Sequence, residues 1–213
     1  MKKQPAERIN YLKTFIAAVL AGMAICIGAV AALATGNRLF GAVIFTVGLY
    51  IVLANKYALY TGAICYVYQK DGTRPLQLAI TLIGNAIGAF AVGSSVRLTR
   101  LDSVTAGATA LVDTKSTDSL LSIFILAVLC DFLIFYAVDA HKKNPHEVGK
   151  YVGLLLCIPA FIISTYEHCV ANMCYLSLAW DFSTDALAML GMAVLGNTVG
   201  GILASSLTRY VSK

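Results

Sequence analysis

Uncharged apolar runs that are long enough to cross a lipid bilayer recur along this chain, and they constrain its fold more than any other feature. The hydrocarbon core of a bilayer is about 30 Å thick, so a helix needs about 20 apolar residues to cross it. Apolar residues make up 59% of the chain and charged residues 13%, whereas about a quarter of a soluble domain is charged. Six segments are predicted as transmembrane helices: 14–34, 39–68, 75–96, 119–138, 151–180 and 186–208. The sequence therefore predicts an all-α membrane protein with a single transmembrane domain, 1–213.

Two of these segments, the second and the fifth, are interrupted. The second is broken around Lys56 to Gly62, and the fifth around Pro159 to His168. Irregular backbone at membrane depth is tolerated only where protein or a water-filled cavity satisfies its polar groups. Broken helices in corresponding positions of two halves are therefore the best sequence indication of a transport site.

The two halves share a glycine–asparagine pattern. Gly-Asn-x-x-Gly occurs at 84–88 in the third segment and again at 196–200 in the sixth. Glycines at this spacing let helix backbones approach closely, and we expect packing to be their role. Packing does not explain an asparagine in both copies. We expect Asn85 and Asn197 to give structural support, by hydrogen bonds across helices or to the broken backbone, rather than to contact a ligand.

The repeated pattern predicts that segments one to three recur as segments four to six, in halves of about 1–105 and 106–213. Three is an odd number of crossings, so the second half would be inverted relative to the first, as in many transporters. Basic residues then decide the orientation of the chain. With the amino terminus inside, the inner side holds eleven of them: Lys2, Lys3, Arg8, Lys13, Lys70, Arg74, Lys142, Lys143, Lys150, Arg209 and Lys213. The outer side holds four, Arg38, Arg97, Arg100 and Lys115, so both termini are predicted to be cytoplasmic.

The cysteines and the net charge point to no further chemistry. The six cysteines lie mostly inside apolar runs and form no Cys-x-x-Cys pair, so we interpret them as small apolar core residues rather than as a disulfide framework or a metal site. The net charge of +5 comes from basic residues spread between the apolar runs. That distribution indicates membrane topology and not nucleic-acid binding. No cofactor is predicted.

Several motifs resemble those of the formate–nitrite transporter family. The run 166–173, Tyr-Glu-His-Cys-Val-Ala-Asn-Met, resembles that family's Glu-His-x-Val-Ala-Asn-Met signature in the fifth helix. Gly-Leu at 48–49, followed by Leu-Tyr-Thr-Gly at 59–62, resembles its second-helix motif. Lys115, followed by Leu-Cys-Asp-Phe-Leu at 129–133, is similar to a family lysine followed by Leu-Cys-Asn-Trp-Leu. The resemblance covers nearly the whole chain, in order and at the right spacing.

The resemblance implies an aquaporin-like protomer of six helices, assembled as a homo-pentamer with one pore per protomer, in the cytoplasmic membrane of a bacterium. It implies two apolar constrictions around a central chamber, formed by Phe45, Leu49, Leu59 and Phe161. Thr61 and His168 are expected to meet in that chamber, with Asn172 as a further pore residue. Lys115 is expected toward the outer mouth.

Three residues depart from the family pattern. Ala58 stands where the family often has a glutamate, Ala63 replaces the asparagine that usually follows Thr-Gly, and Lys56 stands where a small residue is common. All three fall in the broken second segment, which is predicted to line the pore. They therefore bear on the substrate more than on the fold.

The charged residues near the breaks have competing interpretations. An anion cannot cross apolar rings bare, because burying a charge costs on the order of tens of kcal/mol before relaxation. His168 could supply a proton, since its ordinary pKa is about 6.5; the alternative is a histidine that is simply buried in the core. For Glu167 we expect structural support of the loop, with its carboxylate accepting backbone N–H groups. Lys115 is either a solvated loop charge or a cation that concentrates anions at the pore mouth.

The sequence thus predicts a channel or transporter for small monovalent anions or their weak acids, such as formate, nitrite or hydrosulfide, with proton linkage through His168. Small anions, protons, lipid and other copies of the chain are its expected partners. The alternative is an aquaporin-like channel for neutral solutes, which the absence of an Asn-Pro-Ala pair disfavours. An intramembrane enzyme that uses Glu167, His168 and Cys169 is less favoured. Adjacent residues on a helix point about 100° apart, so these side chains would not converge.

Overall fold

The computed structural model describes residues 10–68 and 75–212, and every regular element within them is a helix. Six basic residues that entered the topology prediction lie outside these ranges: Lys2, Lys3, Arg8, Lys70, Arg74 and Lys213. The helices are α1 (Tyr11–Ala34), α2 (Arg38–Ala54), α3 (Tyr60–Ile64), α4 (Pro75–Val96), α5 (Asp102–Ser116), α6 (Leu120–Lys143), α7 (Glu147–Ile163), α8 (Cys169–Ala179) and α9 (Thr184–Val211).

Among the described residues, four helices are long and apolar enough to cross a membrane, namely α1, α4, α6 and α9. Two shorter helices, α2 and α8, are also apolar. Large apolar side chains on the outer faces of the long helices are exposed, among them Ile83 on α4 and Leu203 on α9. An apolar outer surface of this kind fits lipid better than water. These features confirm the prediction of an all-α membrane protein.

The two interrupted segments are each divided into two helices. A loop at 55–59 separates α2 from α3, and a loop at 164–168 separates α7 from α8. The sequence placed the second break too early, because Pro159 lies inside α7 and is buried there. The helix continues beyond that proline to Ile163. The chain turns instead at a residue with a positive φ, which is Thr165.

Both interruptions begin with the same backbone turn. Lys56 and Thr165 each have a φ of 55°, a left-handed conformation that non-glycine residues adopt only occasionally. The next residue donates its N–H to the carbonyl five positions back, from Tyr57 to Val52 at 2.9 Å and from Tyr166 to Phe161 at 3.0 Å. This pattern caps the carbonyls at the end of a helix and reverses the chain. The two halves therefore break with the same dihedral angle and the same hydrogen bond.

Asn85 on α4 holds the first broken segment in place. Its side-chain oxygen accepts the backbone N–H of Tyr60, at 2.8 Å. Its side-chain nitrogen donates to the carbonyls of Ala58, at 2.9 Å, and Ala18, at 2.8 Å. Asn85 is fully buried. One amide group therefore satisfies a carbonyl of the loop and the first N–H of α3, and it joins α4 to α1.

Asn197 on α9 makes the corresponding three bonds in the second half. It accepts the N–H of Cys169 at 2.8 Å and donates to the carbonyls of Glu167 and Ala127, both at 2.8 Å. The sequence left open whether these asparagines bond across helices or to the broken backbone. In the structure each does both, and each uses its side-chain oxygen and its side-chain nitrogen.

Glycines next to these asparagines allow the supporting helices to touch. Gly88 on α4 packs against the backbone of Val19 on α1, and Gly200 on α9 packs against the backbone of Val128 on α6. A Cβ atom at either glycine would overlap a carbonyl oxygen. The close contact brings Asn85 and Asn197 within reach of the helix across from each of them.

The interpretation of all the cysteines as unpaired apolar core residues was wrong for one pair. Cys26 on α1 and Cys174 on α8 form a disulfide, with their Cα atoms 5.3 Å apart. They lie in different halves of the sequence, so only the packing of α1 against α8 brings them together. Cys65, Cys130 and Cys169 are free and buried, as expected for apolar core residues.

Replacing Asn197 by alanine should lower the free energy of unfolding by about 1–3 kcal/mol, because buried backbone groups at the break would lose their partners. Asn85→Ala should have an effect of similar size, since its three bonds match. Thermal unfolding of the purified protein in detergent measures both. Asn55→Ala is the matched control, since the Asn55 side chain is exposed and bonds only to the carbonyl of Ile51 in the preceding helix. Equal stability of all three variants would contradict the anchoring role.

Candidate functional site

The two broken segments meet at Thr61 and His168. Thr61 lies in the first turn of α3, and His168 is the residue that precedes α8. The Oγ1 atom of Thr61 is 3.2 Å from the Nε2 atom of His168. Both side chains are almost completely buried. The structure thus brings together the two residues that the sequence placed in one chamber.

The position of His168 at the start of α8 determines which of its nitrogens is available. Its backbone is extended, and its Nδ1 atom accepts the N–H of Ala171 at 3.1 Å. This bond satisfies one of the unpaired N–H groups at the helix start. A nitrogen that accepts a hydrogen bond carries no proton, so the neutral ring holds its proton on Nε2. That proton points toward Thr61.

The four large apolar side chains that were predicted to form the constrictions are all buried. Phe45 and Leu49 lie one turn apart on α2 and so share one face of that helix. The ring of Phe45 meets the ring of Phe161 edge to face, with centroids 5.9 Å apart. The ring of Phe161 also stacks on that of His168 at 5.7 Å. Leu59 directly precedes α3, and all four apolar side chains are at most 4% exposed.

A cavity of about 390 Å³ lies on one side of the contact. We call it the Lys115 vestibule; its lining includes Arg38, Phe45, Lys115, Phe161, His168 and Asn172. Most of its surface is apolar. A second cavity, of about 840 Å³, is lined by Leu49 and Leu59 together with Lys56, Tyr66, Asp139 and Lys142, and we call it the Lys56 vestibule. The phenylalanines border the first vestibule and the leucines border the second.

Lys115 and Glu167 form an ion pair at the edge of the Lys115 vestibule. The Nζ atom of Lys115 is 2.5 Å from Oε1 of Glu167, and the two side chains are 11% and 2% exposed. The other carboxylate oxygen of Glu167 accepts a bond of 2.7 Å from the side-chain nitrogen of Asn172. The expectation that Glu167 accepts backbone N–H groups was therefore wrong. Lys115 and Asn172 satisfy its carboxylate, and Lys115 is neither a solvated nor an unpaired charge.

The remaining polar atom of this cluster is an acceptor. The side-chain oxygen of Asn172 is buried, and no hydrogen-bond partner for it is found among the described residues. Asn172 lines the same vestibule as His168. An acceptor held there by Glu167 can receive a proton donor, such as a water or a protonated acid.

Two features of the site had no clear signal in the sequence. Helix α5, which carries Lys115, was not predicted because it is short and less apolar than the spans. It packs against α8, which explains how a residue between two spans reaches the centre. The Lys56 vestibule was also missed, since Lys142 and Lys143 were counted only as topology charges. Within the described part of the chain, no group of three or more His, Cys, Asp or Glu side chains could hold a metal ion.

Comparison with known proteins gives consistent matches over nearly the full length. A family model described as "Formate/nitrite transporter" matches residues 2–211. The nitrite transporter NirC of Salmonella typhimurium is 27% identical over 224 residues, which covers 91% of this chain and 81% of that protein. The solved structure of an "FNT family ion channel" has a TM-score of 0.81 at 25% identity and covers 96% of this chain and 91% of that one. A "Pentameric formate channel with formate bound" has a TM-score of 0.78 at 21% identity and covers 95% of both chains.

Breaking the Lys115–Glu167 pair from one side should destabilise the protein more than removing both charges. Lys115→Ala or Glu167→Ala alone would leave a buried charge without its partner, at a cost of about 3 kcal/mol each. The double variant should lose clearly less than the sum of the two. A double-mutant cycle on thermal or denaturant unfolding measures this coupling. Additive losses would show that the pair is not coupled.

Proposed function

Because this chain belongs to the formate/nitrite transporter family, we propose that it is a channel that carries small monovalent anions or their conjugate weak acids across the membrane. The observation that carries the proposal is the buried contact between Thr61 and His168, where the two broken segments meet and where His168 lines the Lys115 vestibule. Membership of a transporter family also confirms the prediction that the chain is not an enzyme.

We further propose that the chain crosses the membrane six times in two inverted halves. On this view α2 and α3 together form one crossing, as do α7 and α8. The matching turns at Lys56 and Thr165, and the matching bonds of Asn85 and Asn197, support this arrangement. It makes residues 1–213 a single channel domain, in which each half supplies one broken segment. Both termini then lie on one side, which we assign to the cytoplasm from the distribution of basic residues; a nitrite transporter of a bacterium is among the similar proteins, and we propose a bacterial cytoplasmic membrane.

The apolar constrictions decide in what form a substrate crosses. Phe45 and Phe161 border one vestibule, and Leu49 and Leu59 border the other. A bare anion would lose its hydration there without any fixed opposite charge, since Lys115 is already paired with Glu167. A proton that joins the anion removes this cost. We therefore propose that the substrate passes the constrictions as the neutral acid, or while sharing a proton with His168.

The hydrogen bonds of His168 limit how it takes part. Its Nδ1 atom is committed to the start of α8, so a second ring proton would require that cap to break. Its Nε2–H group points toward the hydroxyl oxygen of Thr61, where an anion can replace that oxygen as the acceptor. We infer that His168 binds the anion as a neutral donor, with the hydroxyl of Thr61 as a second donor. The proton that neutralises the anion then comes from water in a vestibule.

Formate, nitrite and hydrosulfide are the proposed substrates. A nitrite transporter is among the relatives of this chain, and a formate-bound channel shares its fold. A channel for water or glycerol would not need the ionised side chains that line both vestibules. We also propose a homo-pentamer, since the solved formate channel of the same fold is described as pentameric and the outer helix faces of this chain are apolar.

Loss of the two chamber donors should slow anion flux while leaving the fold intact. Thr61→Val keeps the shape of the side chain and removes its hydroxyl. His168→Asn keeps a group that can cap α8 but is too short to replace Nε2. Each hydrogen bond to an anion contributes about 1.5–3 kcal/mol, so each variant should carry formate or nitrite about tenfold more slowly or worse in proteoliposomes.

The matched control for these variants is Thr35→Val. Thr35 bonds only to backbone groups at the end of α1 and lies outside both vestibules, so its loss should leave flux unchanged. Wild-type protein that passes water or glycerol but no anion would instead place the chain among neutral-solute channels.

Flux should rise as the solution becomes more acidic. Above its pKa, a carboxylic acid has about tenfold more of its neutral form for each unit of pH lost. Formate uptake into proteoliposomes, at a fixed total concentration and without a membrane potential, should therefore increase between about pH 7 and about pH 5. The His168→Asn variant should keep a rising profile at a lower rate, because water supplies the proton. If the uptake rate of the wild type did not change with pH, the neutral-acid mechanism would be refuted and the protein would be a channel for the bare anion.

A further inference from the structure

The Lys56 vestibule contains one carboxylate that is already occupied. Asp139 on α6 pairs with Nζ of Lys143 at 3.0 Å and accepts the hydroxyl of Tyr66 at 3.3 Å, both through Oδ1. Its side chain is only 15% exposed. Among the described residues that line this vestibule, Asp139 is the only acidic one. The other cations of the lining therefore form no ion pair with it.

Lys142 is one of these unneutralised cations. Its Nζ atom lies 3.7 Å above the centre of the Tyr66 ring, and the negative face of the ring holds it without using its N–H donors. Lys56 is the other, exposed at the positive-φ turn that ends α2. In the ranges 10–68 and 75–212, no carboxylate lies within 4.0 Å of either ammonium group.

The matching position in the other half is neutralised. When the two turns are aligned, with Lys56 opposite Thr165, Ala58 corresponds to Glu167 and Ala63 corresponds to Asn172. In the second half, the loop glutamate pairs with a lysine of α5 and bonds to the asparagine. In the first half both residues are alanine and the turn itself carries a lysine. The two vestibules therefore differ in net charge although their backbones match.

We infer that the Lys56 vestibule is a second binding site, where Lys56 and Lys142 hold a small monovalent anion before it reaches Leu49 and Leu59. This inference rests on the proposed anion flux. Two unpaired cations in a cavity with apolar walls concentrate anions locally, by about tenfold or more. The cavity of about 840 Å³ is large enough for the anion to keep part of its water. The anion would therefore bind in this vestibule before it loses its remaining water at Leu49 and Leu59.

Neutralising both lysines should weaken capture without closing the pore. Initial rates of formate or nitrite uptake would be measured in proteoliposomes over a range of anion concentrations at low ionic strength. The Lys56→Gln/Lys142→Gln variant should need about tenfold more anion for half-maximal rate, with an unchanged maximal rate. Adding an impermeant salt to about 1 M, where the Debye length is about 3 Å, should remove most of this difference.

Two controls separate capture from other effects. Arg100→Gln removes one of the two units of charge that the double variant loses, but from an exposed residue outside both vestibules, and it should leave the half-saturating concentration unchanged. Lys142→Arg keeps the charge over Tyr66 and should behave as wild type. If the wild type carries anions and the double variant has the same half-saturation, the second site is refuted. If the wild type carries no anion, the proposed function fails first.

Discussion

Backbone that leaves its helix at membrane depth must find partners for its N–H and C=O groups within the protein, since lipid offers none. In this chain that requirement is met by two asparagine side chains. Asn85 and Asn197 each bond to a carbonyl within the loop of a break, to the first N–H of the helix that follows the loop, and to a carbonyl of a third helix. Thr61 and His168 lie at these breaks, so their positions depend directly on the two amide groups. The chamber is thus held by helices that do not themselves supply its polar side chains.

Matching backbones carry different side chains in the two halves, and the chemistry of the site comes from the difference. Leu59 and His168 both directly precede a helix and correspond when the two turns are aligned. One contributes to an apolar constriction, and the other presents a nitrogen donor. If histidine replaced Leu59 as well, the chamber would hold two nitrogen donors, and the constriction on that side would lose one of its apolar side chains. Under the proposed function, this asymmetry would give the anion one binding position next to an apolar constriction.

Much of this arrangement could be predicted from the sequence because it leaves local signals. The interrupted apolar runs located both breaks to within a few residues, and the paired Gly-Asn patterns singled out Asn85 and Asn197. The partners of charged groups could not be predicted in the same way. Lys115 pairs with Glu167, which is distant in the sequence, through a helix whose composition does not identify it as part of a membrane domain. The disulfide between Cys26 and Cys174 was missed for the same reason, since only the packing of α1 against α8 brings them together.

The pairing of Lys115 changes what that residue can contribute to transport. An unpaired lysine at a pore mouth attracts anions over a Debye length, whereas a lysine in contact with a glutamate presents a dipole with no net charge. Long-range attraction then falls to cations that have no carboxylate partner. Lys56 and Lys142 meet that condition in the Lys56 vestibule, and Arg38, which bonds to the carbonyl of Ile163, meets it in the Lys115 vestibule. Lys115 acts instead at short range, where it orders Glu167 and, through it, Asn172. Under the proposed function, attraction of the anion and organisation of the chamber thus belong to different lysines.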